Sequence, residues 1–144
     1  MRSKRMKPIA NHADQQQQQA VQIYVAAQQV VVKAQQQLDQ LIEYRAEYNT
    51  NGISGDTNST MLRDYQLFLA KINQSIDHAK MNIQHQKQLC ELEKLNWLKS
   101  RSRSKALEAV IEKYQQNEAQ IEARIEQKDQ DEHASRIAGL SKRN

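Results

Sequence analysis

Two of the three glycines in this chain, Gly52 and Gly55, fall in the single stretch NTNGISGDTNST at residues 49–60. On both sides of that stretch the sequence is long, Gln-rich and patterned in sevens. One turn signal between two long amphipathic helices predicts an antiparallel helical hairpin. A hairpin standing alone has no room for an enclosed active site. Its function is then to touch other macromolecules.

Composition agrees with a narrow core. Only 38% of the 144 residues are hydrophobic and 5% aromatic. The single proline, Pro8, sits near the N-terminus. Few breakers and many Gln, Glu, Lys, Ala and Leu make a strong helix former. So few large apolar groups can fill a seam between helices but not a layered interior.

The first helix is expected over 14–48, with Asn11 as a plausible N-cap, Asp14 favourable in the first turn and a flexible basic tail at 1–13. Its apolar residues alternate in threes and fours: Tyr24, Ala27, Val31, Ala34, Leu38, Leu41, Arg45, Tyr48. Val25, Val30, Val32 and Ile42 widen that stripe. This is the a/d repeat of a coiled coil. The tract Gln15 to Gln19 reads as a polar first stretch of the same helix.

The second helix is expected over 61–136, after the loop at 49–60 and before a flexible tail at 137–144. It keeps one register from Leu69 through Ile72, Ile76, Ala79, Ile83, Gln86, Cys90, Glu93, Trp97, Ser100, Ser104, Leu107, Ile111, Tyr114 and Glu118 to Ile121 and Ile125. At 1.5 Å per residue the two helices are roughly 50 and 110 Å long. Counting back from the loop, the first helix ends near residue 95 of its partner. The stripe Trp97, Leu107, Ile111, Tyr114, Ile121, Ile125 is left for another surface to cover, in part the N-terminal tail. Arg45, Gln86, Glu93, Ser100, Ser104 and Glu118 stand at seam positions, where polar groups cost stability and fix register.

Chemistry-bearing motifs are scarce. The four histidines, His12, His78, His85 and His133, form no metal-ligand spacing. Cys90 reads as a small seam residue, and as the one cysteine it excludes an internal disulfide. There is no nucleophile elbow and no phosphate-binding glycine loop. The chain is expected to be no enzyme and to use neither cofactor nor metal. The N-terminus MRSKRMKP is basic, but the long apolar run of a secretory signal or membrane span does not follow it. A soluble cytoplasmic protein is expected.

The net charge of +4 comes from 21 basic and 17 acidic residues. Lys94, Lys99, Arg101, Arg103 and Lys105 form an acid-free run, and acids follow it from Glu108 to Glu132. Nucleic-acid binding calls for a larger patch with interleaved aromatics. A basic collar docking on an acidic protein surface is the better reading. Tyr44, Tyr48, Tyr65 and Phe68 gather beside the loop. They close the end of the hairpin core, or one face of them anchors a partner. Tyr44 and Tyr48 cannot both point wholly inward with Leu41.

The stretch QLDQLIEYRAEY at 37–48, the Gly/Asn loop and YQLFL at 65–69 resemble the flagellar type III export protein FliJ family. WLKSR at 97–101, KALE at 105–108 and EQK at 126–128 are similar as well. The likeness spans roughly residues 20–138. It implies an antiparallel two-helix coiled coil like the central stalk of rotary ATPases. The end bearing both termini would associate with the hexameric export ATPase and help it assemble. The loop-side part would contact the membrane export gate. The matching gate positions are Gln37, Leu41, Tyr44, Tyr48, Phe68 and Ile72, while Ser75 and Ala79 stand where Ala and His are expected. The ring-contact set is Trp97, Arg101, Arg103, Ile111, Tyr114, Ile121 and Ile125. Export chaperones are a further partner class, in an escort role. The resemblance places a monomer at the cytoplasmic side of the inner membrane, at the flagellar basal body, serving motility. The alternative is a homomeric coiled-coil scaffold.

Overall fold

The computed structural model describes residues 1–51 and 59–142. Two helices account for nearly all of them: α1 over Arg2–Asn51 and α2 over Ser59–Lys142. The chain is all-α, and the second helix is the longer, as the sequence predicts. The centre of the predicted loop, with Gly52 and Gly55, lies outside the described residues. The rims of that loop are helical, since α1 runs on through Asn51 and α2 starts at Ser59.

The helices contribute to two compact units. One comprises Met1–Gln17 with Lys99–Asn144, the other Gln18–Leu98. In the second, α1 and α2 run antiparallel. Tyr24 meets Trp97, Arg45 meets Asn73, and Tyr48 meets Tyr65. Its core is Ala34, Leu38, Ile72, Ile76 and Ile83, with Leu41, Phe68 and Ala79 packed on it. Every residue assigned to the a/d repeat between 24 and 97 is buried or half-buried. Val25, Val30, Val32 and Ile42, expected to widen the stripe, are exposed instead. Two helices in contact cover little beyond a and d, so the flanking valines stay in water.

The first unit corrects the expected start of α1. The helix begins at Arg2 rather than at residue 14, and the basic segment is helical. Ser3 and Ala13 are buried, and Met6, Ala10 and Gln17 are half-buried. Those positions continue the repeat of threes and fours. Ser104, Leu107, Ile111, Tyr114 and Glu118 of α2 are buried or half-buried in the same unit. The stripe over 99–118, for which the sequence offers the N-terminal segment as a partial cover, is packed within this unit. Small side chains at 3, 10, 13 and 104 hide this seam from a count of large apolar residues. Pro8 lies inside α1 on its exposed side, where it removes one backbone hydrogen bond and weakens the first turns of the helix.

Glu118 holds the start of α1. Its carboxylate accepts the Ser3 hydroxyl at 2.6 Å and the Ser3 backbone N–H at 3.2 Å. The first N–H groups of a helix have no partner inside it, and a carboxylate there also meets the positive end of the helix dipole. The Arg2 guanidinium lies 5.9 Å from the centroid of the Tyr114 ring. Beyond this clasp, every described side chain of 119–141 is exposed, Ile121 and Ile125 among them.

Ile76→Ala should lower unfolding free energy by about 3 kcal/mol, because it empties the most enclosed seam site. Val32→Ala should cost less than about 0.5 kcal/mol. Urea titration followed by circular dichroism measures both. The Ser3 hydroxyl, with its backbone N–H and the N-terminal charge, holds the Glu118 carboxyl below its ordinary value, and partial desolvation opposes them. A lowered folded pKa means that this contribution is present above the unfolded value and disappears as pH falls through the folded one. Amide protection near Ser3, taken relative to the intrinsic exchange rate at each pH, should fall below the ordinary carboxylate range. Glu118→Gln should weaken that acid dependence.

Candidate protein-contact surfaces

The aromatic residues beside the loop are ordered by mutual packing. Tyr48 stacks on Tyr65 with centroids 5.0 Å apart and planes at 13°. Its other neighbour is Phe68, at 4.3 Å and 49°. The Tyr65 hydroxyl donates to Asn49 Oδ1 at 3.0 Å, fixing one end of the stack. These three rings are half-buried and close the seam. Tyr44 differs. It sets an edge against Phe68 at 6.0 Å and 75°, yet is 51% exposed. Tyr44 and Tyr48 divide the two roles that the sequence left open: one ring seals and one ring faces out.

Below Tyr44 a shallow groove is lined by Gln37, Gln40, Leu41, Tyr44 and Ala79. Of the six residues the resemblance singles out for the gate, Gln37 and Tyr44 are exposed, Leu41, Tyr48 and Phe68 half-buried, and Ile72 buried. Gln37, Leu41 and Tyr44 share one groove, Phe68 supports Tyr44, and Ile72 belongs to the core. Gln40 was not foreseen. It lies three residues from Gln37 and four from Tyr44, a spacing that places all three on one helix face. Ala79, which replaces the larger residue expected there, helps to shape the groove.

Arg45 is half-buried at its seam position and donates from Nη1 to Asn73 Oδ1 at 3.0 Å. The guanidinium thereby reaches the edge of the seam rather than lying inside it. Cys90 is half-buried, as a small seam residue should be.

The residues expected at the other surface separate by burial. Trp97 is half-buried and stacks on Tyr24 at 5.8 Å and 28°. In the first unit, Ile111 lines a groove with Lys7, Ala10 and Asn11, and Tyr114 lies by Arg2. These three side chains join the helices. Arg101, Arg103, Ile121 and Ile125 are exposed. Among the described residues no group of acidic, histidine and cysteine side chains could hold a metal, and no helix is long and apolar enough to cross a membrane.

Replacing the sealing ring and the outward ring should have different consequences. Tyr48→Ala should cost about 3 kcal/mol of stability, and Tyr44→Ala less than about 1 kcal/mol. Thermal unfolding of the two variants side by side checks the division. A family model described as flagellar FliJ protein matches residues 2–143. No curated protein matches the chain.

Proposed function

The chain belongs to the flagellar FliJ family, and on that premise we propose that it couples the export ATPase to the membrane export gate. It is a flagellar export component, and its work is contact rather than catalysis. The observation that carries the proposal is the outward Tyr44, braced on Phe68 above the groove of Gln37, Leu41 and Ala79. A rigid, half-exposed aromatic beside a shallow apolar groove is the usual chemistry of an interface anchor. The ring costs little further entropy on binding, because Phe68 already restrains it.

The ATPase-facing surface belongs to the first unit. Arg101 and Arg103 offer cations to an acidic surface, and Ile121 and Ile125 offer exposed aliphatic area. Ile111 and Tyr114 serve this surface indirectly, by fixing α1 against α2 within the first unit, whereas Trp97 does so in the second. The protein acts as a monomeric, stalk-like element at the cytoplasmic side of the inner membrane, promotes ATPase assembly and activity, and meets export chaperones. A homomeric scaffold, in which Ile121 and Ile125 pair with a second copy, is the competing reading. It requires a dimer in sedimentation at micromolar concentration.

Gln37→Ala with Tyr44→Ala should weaken binding to the purified gate protein at least about tenfold, roughly 1.4 kcal/mol. The same variant should stimulate ATP hydrolysis by the export ATPase like the wild type. A chain ending at about residue 120 should do the opposite. If both functions fall together with helicity in the double variant, Tyr44 is part of the core and the proposal fails.

A further inference from the structure

The two edges of the first unit differ in charge. Two grooves show which side chains meet along each edge. Arg2 and Asn117 line one, beside Tyr114 and Glu118. The other is lined by Lys7, Asn11 and Asp14 of α1 and by Glu108, Glu112 and Gln115 of α2. With the seam at heptad positions a and d, Arg2 and Asn117 are g residues, whereas the second set are b and e residues. The g edge of both helices, with the c positions behind it, carries Arg2, Arg5, Lys99, Arg103, Lys113 and Arg124, all exposed. Over 1–17 and 99–127 the c, f and g positions hold no carboxylate. Asp14, Glu108, Glu112, Glu122 and Glu126 occupy b and e, among Lys4, Lys7, Arg101 and Lys105. Glu118 stands at an a position, and its carboxylate is engaged by Ser3.

Exposed aliphatic area follows the same division. Over 1–17 and 99–118 the large apolar side chains left exposed are Met1, Ile9 and Val110, at 66%, 47% and 36%. All three are f or g residues. One heptad along from Arg2 and Asn117, the antiparallel edge sets Ile9 opposite Val110. The edge therefore has a small aliphatic centre, cations around it and no acid. A specific protein interface is built on aromatic or large aliphatic anchors seated in pockets. No aromatic ring is exposed among the described residues of this unit. A nucleic-acid backbone would meet the same cations but would leave Ile9 and Val110 unused. A bilayer uses both, and it asks for charge and a little apolar area rather than a shaped pocket. We propose that this edge of the first unit binds an anionic phospholipid surface, with its cations at the level of the lipid phosphates and Ile9 and Val110 entering the headgroup layer. The site lies apart from the Tyr44 groove, and its test needs neither the gate protein nor the ATPase.

Flotation of the full-length chain with vesicles of phosphatidylcholine and about 30% phosphatidylglycerol measures binding. The chain should bind these vesicles, lose most of that binding as salt is raised to about 0.5 M, and ignore vesicles of phosphatidylcholine alone. Beside an anionic bilayer each basic residue contributes roughly fivefold in affinity, so Arg5→Ser with Lys113→Ser should weaken binding at least about tenfold. Lys7→Ser with Lys105→Ser removes the same net charge from the other edge and should change affinity by less than about threefold. Ile9→Ser with Val110→Ser keeps every charge and should weaken binding at least about threefold. Circular dichroism verifies that each variant keeps its helicity. The proposal is overturned if the anionic vesicles are not bound. It is overturned too if the two cation pairs cost the same, because net charge alone then explains the binding. A duplex oligonucleotide that binds more tightly than the vesicles, through Arg5 and Lys113, would overturn it by assigning the edge to nucleic acid.

Discussion

Each of the two units hangs on a seam between two helices. Among the described residues there is no third layer, so the helices must bury their apolar atoms against each other, and little beyond the a and d rows can be covered. Ile76, at 2% exposed, is as enclosed as the molecule gets. Large side chains off the seam stay mostly in water, as Val25, Val32 and Leu95 do, while Phe68 beside the seam is half-buried. Burial gives roughly 25 cal/mol for each Å² of apolar area removed from water, so residues off the seam add little to stability. They are left for contact with partners.

The same constraint explains the polar seam residues. A narrow seam lies close to solvent along its whole length, so a polar group there can satisfy itself by reaching sideways. Arg45 does so through Asn73, and Glu118 through Ser3. Glu118 also caps a helix that the sequence gives no strong reason to start so early. The small residues Ser3, Ala10, Ala13 and Ser104 fill the seam of the first unit beside Met6, Leu107, Ile111 and Tyr114, and the Ser3–Glu118 pair adds a polar contact that the aliphatic packing around Ile72, Ile76 and Ile83 lacks.

Much of this is legible in the residues alone. The spacing from Leu69 to Glu118 identifies each half-buried position of α2 in that span, because a strict seven-residue repeat leaves one face available. The aromatic gathering beside the loop is legible for the same reason. The division of labour between Tyr44 and Tyr48 is not, since it depends on which ring Phe68 and Tyr65 leave room for. The helical state of 2–13 is also hidden. Pro8 and the run of cations look like a tail, and the serine and alanines that make the seam carry no hydrophobic signal. Gln40 escapes notice because glutamine is everywhere in this chain, and only its place beside Gln37 and Tyr44 gives it a role.

Coupling requires that one chain hold two machines at once. Mass photometry of the purified export ATPase, the gate protein's cytoplasmic part and this chain tests that directly. The account predicts a ternary species that forms only when this chain is present, with the ATPase and the gate protein bound simultaneously. Mutual displacement, with the gate protein releasing the chain from the ATPase, would contradict it.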